Sequence, residues 1–142
     1  MPTGSGATRF DAGTPGRTQS KGDGIYAGKA NTSIIIAAQV AIGDDGGTYA
    51  ARICNELQIT EDGVTYGDWY LPSRYELILM FQERMTISTT AVANGGAGLA
   101  DDWYWSSTEG GGGTAWLRHF QANTELNITT ASPENVRGVR AF

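Results

Sequence analysis

The chain of 142 residues has one cysteine and one histidine. A single thiol, Cys54, forms no intramolecular disulfide and supports no cysteine zinc cluster, so cysteine usage says nothing about the redox compartment. With His119 alone a two-histidine metal motif is excluded, and no serine lies in the G-x-S-x-G elbow that would complete a Ser-His-Asp arrangement. Basic charge is also short: ten Lys and Arg stand against fifteen Asp and Glu, a net charge of −5. Nucleic acid is therefore not an expected partner, because phosphate binding needs a basic footprint; a local basic patch for an anionic glycan stays open. Long apolar runs are missing. Residues 34–38 and 75–81 fall far short of the roughly 20 residues a membrane helix needs, so no membrane insertion is expected. No apolar core segment follows Met1, and Met1-Pro2-Thr3-Gly4-Ser5-Gly6 has the composition of an artificial linker. The expectation is a chain without its own signal peptide, taken from a longer parent.

What the chain does have is glycine, 20 residues, about twice average usage and without a collagen period. It also has four Trp, six Tyr and four Phe, enough for a core built on aromatic anchors. With 40% apolar and 18% charged residues it reads as one ordered domain.

Residues 1–24 are rich in Gly, Thr, Ser and Pro, with Phe10 the one large apolar side chain. They read as an N-terminal arm or loop, and residues 25–142 as the domain. Asn31-Thr32-Ser33-Ile34-Ile35-Ile36-Ala37-Ala38-Gln39-Val40 reads as a short buried helix capped by Asn31 or Thr32. Gly43–Gly47 is a turn. A second helix starts at Thr48, where Tyr49, Ile53 and Leu57 repeat at i, i+4, i+8 with Cys54 on the apolar side. Glu61-Asp62-Gly63 is a turn between two short apolar runs. Ser73 and Glu76 form a capping box, and Leu77, Met80 and Phe81 continue a helix to about Arg84. Beyond Thr90 the composition is Gly-Ala linker. Strand character then returns in Trp103–Thr108, a glycine turn at 110–113, Ala115–Phe120, Leu126–Thr130 and Val136–Phe142. Helices first and a glycine-turned antiparallel sheet afterwards make an α+β chain.

No specific catalytic constellation is present, and the chain is not expected to be an enzyme. The acidic pairs Asp44-Asp45, Glu61-Asp62 and Asp101-Asp102 offer oxygens of the kind calcium takes, but none has an EF-hand pattern. They read as solvated turns, and no metal or other cofactor is expected. Asn31-Thr32-Ser33 and Asn127-Ile128-Thr129 match the short N-glycosylation pattern and carry little weight.

A set of strings rises above this background. Asp68-Trp69-Tyr70-Leu71-Pro72-Ser73 precedes a helix, followed in order by Tyr104-Trp105-Ser106-Ser107-Thr108-Glu109, Ala115-Trp116, Phe120 and Val136-Arg137-Gly138-Val139-Arg140-Ala141-Phe142. In order and spacing, from about Gly24 to Phe142, they resemble the C-terminal domain family of the Legionella collagen-like adhesin. The resemblance implies a C-type-lectin-like fold, with two to three helices on a small twisted antiparallel sheet and long glycine-rich loops. It also implies kinship with retroelement-diversified and phage-fibre-tip receptor-binding domains. Related lectin-like folds include formylglycine-generating oxidases, but those depend on a cysteine pair, and this chain has Cys54 alone. The chain departs from the family at its start, where a "GGIIFYV"-type strand and "HGLIAA" do not occur; a missing edge strand would favour association.

The family's motif residues read as scaffold: Trp69, Trp105, Trp116 and Phe120 as core, Ser106, Ser107 and Glu109 satisfying backbone groups, and Arg137 and Arg140 pairing with Glu109 or Glu76. The ligand surface follows by subtraction. Leu117, His119, Gln121, Asn123, Glu125 and Asn127 read as facing outward, Arg118 as ambiguous, and Trp103 as flanking the same surface. The residues expected to bind are Trp103, Arg118, His119, Gln121, Asn123 and Asn127, since amides beside an aromatic suit a glycan or protein epitope. By this reading the chain is a secreted or bacterial-surface adhesion domain, a homotrimer binding a host glycan such as a sulfated glycosaminoglycan, or a host surface protein. The alternative is a structural or receptor-binding subunit of a phage tail fibre or injection apparatus.

Overall fold

A computed structural model describes residues 9–11, 18–42, 47–111 and 113–141. Much of the expected N-terminal arm, the Asp44-Asp45 turn, Gly112 and Phe142 lie outside the described residues. Those described form an α+β fold with four helices and two small antiparallel sheets.

Helix α1 spans Ala27–Ile42, longer than the short helix expected, because the chain turns at Gly24–Tyr26 and Ala27 N–H already donates to Gly24 O. Asn31 and Thr32 are therefore not caps. They are buried in mid-helix, where Asn31 Nδ2 donates to Gly22 O at 2.7 Å and Ser107 Oγ at 3.2 Å. Of the three isoleucines Ile35 is fully buried, whereas Ile34 is exposed, as one-sided helical packing requires. Helix α2, Ala50–Glu56, starts two residues after the expected Thr48; it buries Ala50, Ala51 and, as expected, Cys54, whereas Ile53 and Leu57 are only half-buried. Strands β1 (Ile59–Glu61) and β2 (Val64–Tyr66) form a two-residue hairpin. Asp62 at φ 50° and Gly63 at φ 78° supply the two left-handed positions that such a turn demands.

Helix α3, Arg74–Gln82, starts with the expected capping box. It stops at Gln82, and α4, Arg84–Ala93, follows where the sequence reading had only the end of one helix and a linker. Its threonines and the lack of any buried residue explain why no periodic signal marked it. This fourth helix corrects the expected two to three.

Strands β3 (Trp103–Glu109), β4 (Thr114–His119) and β5 (Glu125–Thr129) form a sheet in that order. Alternation along β3 sends Trp105 to one face and Tyr104 to the other. On the first face Trp105, Ala115 and Leu117 pack with Ile35, Ala50, Cys54 and Phe10. On the second, Tyr104 and Phe120 pack with Leu77 and Met80 of α3. The sheet is thus a middle layer between α1–α2 and α3. Leu117, expected to face outward, is 1% exposed because its register partner is Trp105 on the core face.

The described part of Val136–Phe142 is not a strand. It joins the fold through the isolated bridge of Val139 to Tyr70, and Asn135 just before it bridges Tyr104. The arm is fixed where it is described. Phe10 packs on Trp105 at 5.4 Å between ring centroids, and its N–H donates to Thr130 O at 2.9 Å.

Candidate recognition site

Much of the polar side-chain chemistry in this chain holds backbone. At the start of α3, Arg74 N–H donates to Thr108 Oγ1, Tyr75 N–H to Asp23 Oδ1 and Glu76 N–H to Ser73 Oγ, so the donors exposed by the first turn are satisfied. Glu76 Oε1 accepts from Gly28 N–H and Ser73 N–H, each at 3.0 Å, and Oε2 accepts from Tyr70 Oη at 2.8 Å. Glu109 does the same for the arm: Oε1 accepts from Thr18 N–H and Thr18 Oγ1, and Oε2 from Gln19 N–H. Ser106 Oγ accepts from Thr108 N–H, in line with its expected backbone role.

Both carboxylates are scaffold, but not as partners of the terminal arginines. Arg140 binds Asp68 through Nε at 2.8 Å and lies over the Tyr66 ring at 4.1 Å, holding the Asp68 carboxyl below its ordinary pKa. Arg137 is buried, its Nη2 donates to Ala97 O, and its Nε and Nη1 have no partner among the described residues. Burial lowers its pKa. Glu76 and Glu109 are already filled by backbone N–H groups and by the Tyr70 and Thr18 hydroxyls.

The expected ligand residues divide. His119 Nδ1 accepts from Gln121 N–H and Ala122 N–H, each at 3.1 Å, and the ring meets Trp103 edge-on at 5.0 Å. The imidazole therefore caps the β4–β5 turn, and Trp103 is half-buried against the core. Arg118 is 7% exposed: Nη1 donates to Asn123 Oδ1 at 2.6 Å and Nη2 pairs with Glu125. Asn123 holds φ 53°, a left-handed position asparagine tolerates. Gln121 and Asn127 are exposed.

Three residues outside that set, Glu125, Arg74 and Trp116, complete a site. Glu125 lies opposite Arg118 across the hairpin and also binds Arg74, whose Nε donates to its Oε2 at 2.6 Å. The Arg74 guanidinium lies over the half-buried Trp116 ring at 3.7 Å. Trp116 in turn is the cross-strand partner of Asn127. Trp69 and Trp116, expected in the core, are thus only half-buried, each at the edge of a concavity or face. Two guanidiniums share one carboxylate here, leaving a local charge of +1 on an acidic chain. The site joins an aromatic ring, a cation with N–H groups to spare and a neighbouring amide.

No protein-family model matches the chain, and no curated protein does. Burial pushes the Cys54 thiol up to about 12, which leaves it protonated and unreactive at neutral pH. Among the described residues no group of three or more His, Cys, Asp or Glu could hold a metal ion. Among them, too, no helix is long and apolar enough to cross a membrane. Arg74 was legible only indirectly: it follows a recognisable N-cap, but nothing in the sequence says that the first turn of α3 faces β4 and β5.

Proposed function

We propose that this chain is a recognition domain with a C-type-lectin-like fold, displayed at a bacterial surface or a fibre tip, which binds a host glycan carrying sulfate groups. The observation that supports it is the convergence of Arg74 and Arg118 on Glu125 beside Trp116. The planar fork of a guanidinium donates to two oxygens of a tetrahedral sulfate at once, as an ammonium does not, and the ring supplies an apolar wall for a sugar. Asn127, the cross-strand partner of Trp116, provides an exposed amide for hydroxyl groups at that face, and Gln121 adds a second exposed amide in the β4–β5 turn. Arg118 and His119 serve this site from behind, by fixing the β4–β5 turn. The order of the motif strings supports the lectin-like reading, as does the α+β layering with polar side chains spent on long loops.

Display as a homotrimer would multiply a weak single-site affinity, since linked sites bind at millimolar effective concentration. A glycan array probed with the wild-type chain and with Asn127→Ala and Gln121→Ala tests the reading. Sulfated glycans should be retained over their desulfated forms, and both variants should lose signal. Equal retention of desulfated glycans would remove the assignment, and binding of a host protein in their place would redirect it.

A further inference from the structure

A second concavity lies away from that face, between the β1–β2 hairpin and helices α3 and α4. Its cavity volume is about 490 Å³, within the roughly 300–1,000 Å³ of small-molecule sites. Trp69, Met80, Ile87 and Val139 form apolar walls. The Trp69 indole N–H is already used, donating to Tyr66 O at 2.9 Å, so the ring is held in place and its remaining surface is apolar. Across Met80, Val139 and Arg140 the concavity meets a second of about 280 Å³ that reaches Tyr26 and Glu76.

The charges around this cleft are unequal. Glu61 lines it and has no partner among the described residues. Arg140 lines it too, but its guanidinium is bound to Asp68 and stacked on Tyr66. Glu76 adds a carboxylate at the far end, and Lys29 acts on Asp68 from outside. Three carboxylates therefore face two cations, both of which act on Asp68; Glu76 is filled by the Gly28 and Ser73 N–H groups and the Tyr70 hydroxyl, and of the three only Glu61 has neither an ion pair nor a hydrogen bond among the described residues.

We infer that this cleft binds a cation carried on an apolar stem, with the stem against Trp69, Met80 and Ile87 and the ammonium at Glu61. Anionic ligands are disfavoured, because reaching Arg140 means displacing Asp68 and facing Glu61. The site is independent of the glycan reading and opposite to it in charge.

Titration with phenethylamine, followed by the Trp69 indole signal in proton–nitrogen spectra, tests this. The amine should bind at about 1 mM, the level a ligand of that size reaches in a good pocket. The anion 3-phenylpropionate should bind at least about ten-fold more weakly. Glu61→Gln, an exposed change that leaves the fold intact, should weaken the amine by about three-fold, the worth of an exposed ion pair. Glu134→Gln, away from the cleft lining, should not. The capped dipeptide acetyl-Phe-Lys-amide separates sources: tighter binding than phenethylamine assigns the site to a protein's lysine, weaker or equal binding to a free amine. An unmoved Trp69 signal, a propionate that binds as well as the amine, or indifference to Glu61→Gln would overturn the inference.

Discussion

Glu76 ties α1 at Gly28 to the Tyr70–Ser73 segment that leads into α3, and its replacement is expected to carry a large cost. Its carboxylate accepts from the buried Gly28 N–H of α1, the buried Ser73 N–H at the N-cap and the Tyr70 hydroxyl. Hydrogen bonds to a charged group contribute about 1.5–3 kcal/mol each when buried, and Glu76 is half-exposed, which puts each at or below the lower end. Glu76→Ala removes all three and strands two buried backbone donors, a loss of about 3–4 kcal/mol. Glu76→Gln keeps Oε1 for both N–H groups, and the Tyr70 hydroxyl can turn to accept from the new amide. Only charge assistance and part of the favourable helix N-terminal charge are lost, about 1 kcal/mol. Tyr70→Phe should cost about as much. Urea unfolding of the four proteins, read by the shift in midpoint at constant slope, measures these differences. Thermally, the alanine variant should melt about 10 °C lower at this chain length. Equal losses for alanine and glutamine would refute the reasoning, because the geometry would then contribute nothing beyond charge.

Three further outcomes follow from the packing. Gly28→Ala should unfold the chain or cost at least about 3 kcal/mol, since a Cβ there meets Leu71 O at 2.5 Å and Ser73 N at 2.8 Å, whereas Gly111→Ala meets nothing within 4 Å and should be near neutral in the same assay. Phe10→Ala should cost about 3–5 kcal/mol despite lying in the arm, because Phe10 is 1% exposed and stacks on Trp105; a loss below about 1 kcal/mol would mean that the arm is not part of the core. Cys54 holds its proton to about pH 12 in the folded state against an ordinary value of 9.0, so its contribution is complete below about pH 9 and is lost as pH rises toward 12. Cys54→Ala should flatten that alkaline decline in urea midpoints, and an unchanged decline would show that the thiol is not its source.

Where the sequence was legible, a local rule was at work. The Ser73–Glu76 box, the Asp62-Gly63 turn and the burial of Cys54 each follow from residues within one or two helical turns of each other. The α+β class follows from the order of such segments. Helix α4 was not legible, because a Thr-rich segment with no buried face lacks periodicity. Nor were the partners of Arg137 and Arg140. Opposite charge alone suggested Glu76 and Glu109, but both carboxylates are filled by hydroxyls and by backbone donors 48–91 residues away in sequence or at the N-cap, a tertiary fact. Leu117 was misassigned and Arg118 left ambiguous for one reason: without the register, alternation says that they differ but not which of them faces the larger core. Arg118 proved buried as well, because the sheet is covered on both faces.

The central claim is that Arg74 beside Trp116 forms an anion-reading sugar site. Calorimetric titration of a heparin-derived sulfated disaccharide into the wild-type chain and Arg74→Ala tests it most directly, Arg74 being partly exposed. The account predicts binding that weakens as salt is raised and falls at least about ten-fold in the variant, the loss of one charge-assisted contact. Undetectable binding to the wild type, or equal affinity for both proteins, would contradict it.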